Sequence, residues 1–163
     1  MKKKMIPLAI LIVTLDLFTK TIVQNTMALY DSIVLIPGFF SITYLTNTGA
    51  AWSILDGQRS FFVALAIVAL IVLVVMFNKE KENPWVISGL ALMMAGTFGN
   101  LYDRIIHGFV RDMLSFNIFG YHFPVFNFAD VSLVIGVGLI AIAVLIDERK
   151  GKLNDLNYSR RPL

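Results

Sequence analysis

The chain has 163 residues, which is short enough for a single domain. Hydrophobic residues make up 57% and charged residues 15%, with a mean hydropathy of +0.74. Soluble domains run at roughly 45–50% apolar and about 25% charged, so a water-soluble globular protein and extensive disorder are both excluded. The 14 Lys+Arg exceed the 11 Asp+Glu by three. These basic residues flank apolar runs rather than covering a soluble surface, so nucleic acid is not an expected partner. With no cysteine, disulfides, thiolate metal sites and cysteine nucleophiles are excluded together.

In chain order, an apolar run at about 5–24 follows Lys2, Lys3 and Lys4 and is interrupted by Asp16 and Lys20. No small-residue cleavage site follows it, so it reads as a retained first span rather than a removed leader. Residues 25–59 then contain IVLIPGFFSITYL, rich in β-branched and aromatic residues, with Pro37-Gly38 as a turn. Short strands on the membrane surface are expected there. The runs at about 60–78, 84–106 and 128–147 each approach the roughly 20 residues that cross a bilayer. Between the last two lies a second polar-ended segment, 107–127, with a turn at Gly120. The basic end, 148–163, is read as a cytoplasmic tail. The fold class is therefore an all-α membrane protein, one domain over 1–147, with a small β-element outside the membrane.

Topology follows from the basic residues. Lys2–Lys4, Lys79 and Lys81, and five Lys/Arg after position 148 account for ten of the 14. With four spans these segments share one side, which the positive-inside rule makes the cytoplasm, with both termini inside.

The ionisable and amide groups within the spans then fall on the other side. Asp16 and Lys20 lie in the outer half of span one; Asn100, Asp103 and Arg104 end span three; Asp112 follows; Asn127 and Asp130 open span four. Such groups in lipid are costly and mark functional candidates. Spacing allows plainer readings for several. Asp16 and Lys20 at i,i+4 suit a structural ion pair. Gly96 and Gly99 suit close helix packing. Asn127 and Asp130 suit a helix N-cap with an acid in the first turn. Asp103-Arg104 suits an interfacial salt bridge. His107 and His122 read as surface residues, and no metal site is expected. Asp112 and Asp130 are harder to explain structurally, since only Arg111 offers a local cation. Two carboxyls brought together share one proton near neutral pH, which equips them to activate water and polarise a carbonyl, or alternatively to bind a cation. An ion-coupled transporter and a metal-dependent lipid-phosphate transferase remain open on these grounds, though apolar inner halves argue against a transport pathway.

Five blocks, in order, carry a resemblance: DLFTK (Asp16–Lys20), NTGAAW (Asn47–Trp52), AGTFGNLYDR (Ala95–Arg104), VRD (Val110–Asp112) and FPVFNFAD (Phe123–Asp130). Together they resemble the motifs of bacterial prolipoprotein signal peptidase, or signal peptidase II. The resemblance implies an intramembrane aspartyl endopeptidase of the bacterial cytoplasmic membrane, with its site near the outer leaflet surface. Such an enzyme removes the signal peptide of diacylglyceryl-modified prolipoproteins just before the lipidated cysteine. It implies Asp112 and Asp130 as the catalytic pair. Asn47, Gly49, Asn100, Arg104 and Asn127 would bind or orient substrate, and Asp16, Lys20, Gly96 and Asp103 would support them. It implies no metal or organic cofactor, and as partners a lipid-modified prolipoprotein and membrane lipid, with the enzyme acting as a monomer. The chain departs from the family pattern at Leu17, Trp52, Ser53 and Met113. Leu17 puts the supporting role of span one in doubt.

Overall fold

The computed structural model describes residues 1–49 and 55–159, the last nine by backbone course only. Among the described residues, four helices are long and apolar enough to cross a membrane. They are α1 (Lys2–Thr26), α2 (Arg59–Lys79), α3 (Pro84–Ile106) and α4 (Phe128–Ser159). Between them run β1 (Ser32–Ile36), β2 (Phe40–Asn47), β3 (Val110–Ile118) and β4 (Tyr121–His122). Ala50, Ala51 and Trp52 of the second block, the departure at Ser53, and Arg160 and Arg161 of the tail lie outside the described residues.

Helices α1, α2 and α4 all pack on α3. That central position explains why α3 is the least hydropathic of the four and the most buried: it spends its polar residues facing protein instead of lipid. Helix α2 is apolar all round and mostly exposed, as a helix bathed in lipid is. The turn from α2 to α3 is set by local chemistry. The Glu80 carboxylate accepts the backbone N–H groups of Lys81, Glu82 and Asn83, each at 3.0 Å. Asn83 then caps α3 through the N–H groups of Trp85 and Val86, with Pro84 in the first turn. Lys2 Nζ donates to the Asn78 carbonyl at 2.8 Å, so the N-terminus and this turn lie at the same end.

At the opposite end the two polar-ended segments combine into one antiparallel sheet in the order β1-β2-β3-β4. The sequence suggests strands in the first segment and only a turn at Gly120 in the second; β3 and the β2–β3 pairing that joins the segments emerge from the structure. Asn47 pairs with Val110 and Leu45 with Asp112; between Ile42 and Leu45 the register slips, so two β2 residues oppose Met113 alone. A bulge of this kind bends the strand and re-aims side chains. Here it sits one residue beyond Asp112. The β3–β4 turn places Phe119 and Gly120 both at positive φ, the pattern of a type I′ hairpin.

Two apolar clusters bracket the polar layer. One joins the end of α1 (Val23, Met27) to the sheet (Tyr44, Met113, Leu114). The other, at the far end, joins α2 (Leu73, Phe77) to α3 (Ile87, Leu90, Ala91). Glycines let α3 and α4 approach closely between them. A Cβ on Gly96 would collide with the Ala129 carbonyl oxygen, and one on Gly99 would stand 3.2 Å from the Ala129 Cβ and 2.6 Å from Asp16 Oδ2 of α1.

Candidate active site

All eleven candidate residues converge where α1, α3 and the start of α4 meet β3. Asp16, Lys20, Asp103 and Asn127 are fully buried there, and Asn100, Arg111 and Asp112 nearly so. Buried charges in an apolar surround persist only when paired and hydrogen-bonded. The pairing is complete for four of them. Lys20 Nζ lies 2.8 Å from Asp16 Oδ2 and 3.5 Å from Asp103 Oδ2. Arg111 grips Asp103 with three donors: its backbone N–H at 3.0 Å, Nε at 3.2 Å and Nη2 at 2.6 Å. Two cations and two anions thus cancel.

Asp112 and Asp130 lie beside this neutral quartet, joined through amides. Asn127 Nδ2 donates to Asp112 Oδ1 at 2.7 Å, and Asn100 Nδ2 donates to Asp130 Oδ1 at 2.7 Å. The two amides are themselves linked, Asn127 Nδ2 to Asn100 Oδ1 at 3.2 Å, and Lys20 Nζ donates to the same oxygen at 3.0 Å. Asn47, at the end of β2, also hydrogen-bonds Asp112. Asn127 and Asp130 form a reciprocal cap on α4. The Asp130 N–H donates to Asn127 Oδ1 at 2.9 Å, and the Asn127 N–H to Asp130 Oδ2 at 3.2 Å. Asp16 Oδ1 accepts the next free donor, the Ala129 N–H, at 2.9 Å. The capping that spacing suggests is therefore present, and it holds the Asp130 carboxyl in one orientation.

Burial, and then the neighbouring charge of Asp130, push the Asp112 carboxyl up to about 7, against the opposing pull of Asn127, Lys20 and Asn47. A carboxyl with that titration is about half protonated at neutral pH and can donate its proton.

Other expectations are revised. Asp103 and Arg104 do not pair. Adjacent helical residues point about 100° apart, so Asp103 turns inward to Lys20 and Arg111 while Arg104 leaves sideways. Arg104 Nη2 donates to the Gly49 carbonyl at 3.0 Å, and its guanidinium lies over the Phe62 ring. Gly49 in turn donates to Asn47 Oδ1. Arg111 is likewise not the local cation of Asp112: its side chain is committed to Asp103, and its Nη1 to Gln24 Oε1 at 2.8 Å. Sequence reasoning missed this role of Arg111; the alternation of side chains along β3 is the signal that separates the two. Asp16 has its partners without a polar residue at Leu17, which is half-buried. Met113 is 2% exposed and fills the apolar cluster behind the site. His122 is exposed, and among the described residues no three His, Cys, Asp or Glu are grouped to hold a metal ion.

The model of a family described as signal peptidase (SPase) II matches residues 8–146. A lipoprotein signal peptidase of Staphylococcus haemolyticus (strain JCSC1435) is 49% identical over 140 residues, 85% of this chain and 89% of its own. One from Staphylococcus carnosus (strain TM300) is 44% identical over 147 residues, 90% of this chain and 92% of its own. A bacterial membrane enzyme solved by the in meso method at 2.3 Å resolution superposes with a TM-score of 0.86 at 45% identity, covering 90% of each chain. Nothing in these comparisons supports the lipid-phosphate transferase or the transporter.

Proposed function

The chain belongs to the signal peptidase II family, and from that premise we propose that Asp112 and Asp130 cleave the signal peptide of lipid-modified prolipoproteins as an aspartyl dyad. The observation that carries the reading is the pair of buried carboxyls held by Asn127 and Asn100, one of them titrating at about 7.

In this reading Asp112 carries the shared proton and Asp130 is ionised. Asp130 takes a proton from water as the water oxygen attacks the scissile carbonyl carbon. Asp112 gives its proton to the carbonyl oxygen, so charge does not accumulate there. The tetrahedral diol collapses, returning a hydroxyl proton to Asp112. Asp130 passes its proton to the departing cysteine nitrogen, and the C–N bond breaks. Asn127 and Asn100 hold the carboxyls in place; Arg104, Gly49 and Asn47 form the wall against which the substrate backbone is aligned. No cofactor enters these steps.

We further propose that the protein lies in the bacterial cytoplasmic membrane with both termini inside. Lys2 and the lysines flanking the α2–α3 turn share one end of the bundle, and the site and sheet lie at the other. The peptide bond then meets water at the outer leaflet while the diacylglyceryl chains remain in lipid.

The test is cleavage of a diacylglyceryl-modified prolipoprotein by purified protein in EDTA, read as release of the signal peptide. Positioned acid–base groups contribute about 10²–10⁴-fold, so Asp112→Asn and Asp130→Asn should each lose at least that factor. Near-normal turnover by either single variant would refute the dyad.

A further inference from the structure

We propose that Arg111 is a positioning residue for Asp112: its clasp on Asp103 sets both the place of the Asp112 carboxyl and the charge balance that it senses. The inference rests on the reading of Asp112 as catalytic.

Arg111 is 3% exposed and joins three elements. It holds α3 through the three bonds to Asp103, and α1 through Gln24 and, at 3.5 Å, Thr21 Oγ1. Its own carbonyl oxygen accepts Asn127 Nδ2 at 3.4 Å, and that same nitrogen donates to Asp112 Oδ1. The amide that orients Asp112 is therefore located by the backbone of the residue that Asp103 grips. A shift of β3 along α3 would move Arg111, Asp112 and the Asn127 contact together. The bulge opposite Met113 breaks the regular β2–β3 pairing just beyond Asp112, so on that side the ladder gives β3 less support and the clasp gives more.

The second element is charge. Lys20 from α1, Arg104 from α3 and Asp130 from α4 act on Asp112 directly; behind them lie Asp16 of α1, paired with Lys20, Asp103 of α3, paired with Lys20 and Arg111, and Tyr44 of β2, which faces the Arg111 and Asp103 charges. Arg111 and Lys20 balance Asp103 and Asp16. Without Arg111, Lys20 alone faces two buried carboxylates, and the excess negative charge disfavours ionisation of Asp112. Its proton is then held to higher pH, and the alkaline limb of the activity profile, where the dyad loses its last proton, moves upward. A residue that only stabilised the fold would lower the amount of active enzyme and leave that limb in place.

The experiment uses full-length protein in lipid–detergent micelles with a diacylglyceryl-modified prolipoprotein, measuring kcat and KM from pH 5 to 9. Arg111→Met should lower kcat about 10²-fold with little change in KM, the cost of misplacing a catalytic group by about an ångström. Its alkaline limb should rise by about one pH unit. Arg111→Lys keeps the charge without the fork, so its limb should stay while kcat recovers only in part. Arg111→Met/Asp103→Asn removes one charge of each sign and should return the limb to the wild-type position. Should Arg111→Met fail to fold, the lysine and double variants carry the test. A wild-type kcat in Arg111→Lys, or an activity loss in Arg111→Met that follows the folded fraction with an unmoved limb, overturns the proposal. Asp112→Asn is run alongside. If it is inactive while the Arg111 variants behave as wild type, this inference alone fails; if it cleaves normally, the reading beneath it fails.

Discussion

Asp112→Asn should cost the enzyme its activity and raise its stability, by an amount that depends on pH. Folding lifts the Asp112 carboxyl from an ordinary 3.8 to about 7, chiefly by burial. Between those values the folded state holds a proton that the unfolded chain has released. Stability therefore falls as pH rises from about 4 to about 7, and is level beyond. At about 1.4 kcal/mol per pH unit, the ionised carboxyl destabilises the fold by about 4 kcal/mol at pH 8 and by less than half of that at pH 5. Asparagine keeps an acceptor for Asn127 Nδ2 and carries no charge, so it escapes this cost. Thermal unfolding in detergent micelles reads the difference. The variant should melt about 10 °C above wild type at pH 8, with a clearly smaller gap at pH 5. Parallel melting curves at the two pH values, or a variant that melts below wild type at both, would refute the assignment of the shared proton to Asp112.

Two further perturbations probe the scaffold. Lys20→Met removes the cation shared by Asp16 and Asp103 and leaves buried charge uncompensated, which should destabilise the fold by about 3–5 kcal/mol. Thermal unfolding checks this, and a melting temperature unchanged from wild type contradicts the ion network. Gly96→Ala drives a methyl into the Ala129 carbonyl and Leu133, displacing the first turn of α4 that carries Asp130. Activity should drop about 10–100-fold without contact to the substrate. Gly138→Ala, where a Cβ meets nothing within 4 Å, should cleave at the wild-type rate; equal rates for the two variants would contradict the packing argument.

The polar layer shows why some of its members resist substitution more than their chemistry suggests. Asp16 is remote in sequence from α4, yet it supplies the acceptor for the Ala129 N–H at the start of that helix. Asn127 serves at once as helix cap, as donor to Asp112 and as link to Asn100. Removing either disturbs both the fold and the geometry of the dyad, because the same atoms support both.

The sequence by itself determined the four spans and the one-sided distribution of polar groups. Crossing a bilayer depends on the composition of about 20 consecutive residues, and a charge in lipid is costly whatever lies elsewhere in the chain. The Asn127–Asp130 cap was legible too, since it is local. The five blocks singled out the residues that now meet. Which of them pair was decided only by the tertiary structure. Neighbours in sequence suggested Asp103 with Arg104 and Asp112 with Arg111. The chain instead joins Asp103 to Arg111 and Arg104 to Gly49, and leaves Asp112 with Asn127. Helical rotation and strand alternation send adjacent side chains apart. The β2–β3 register and the close glycine-lined approach of α3 to α4 then choose partners from distant parts of the chain.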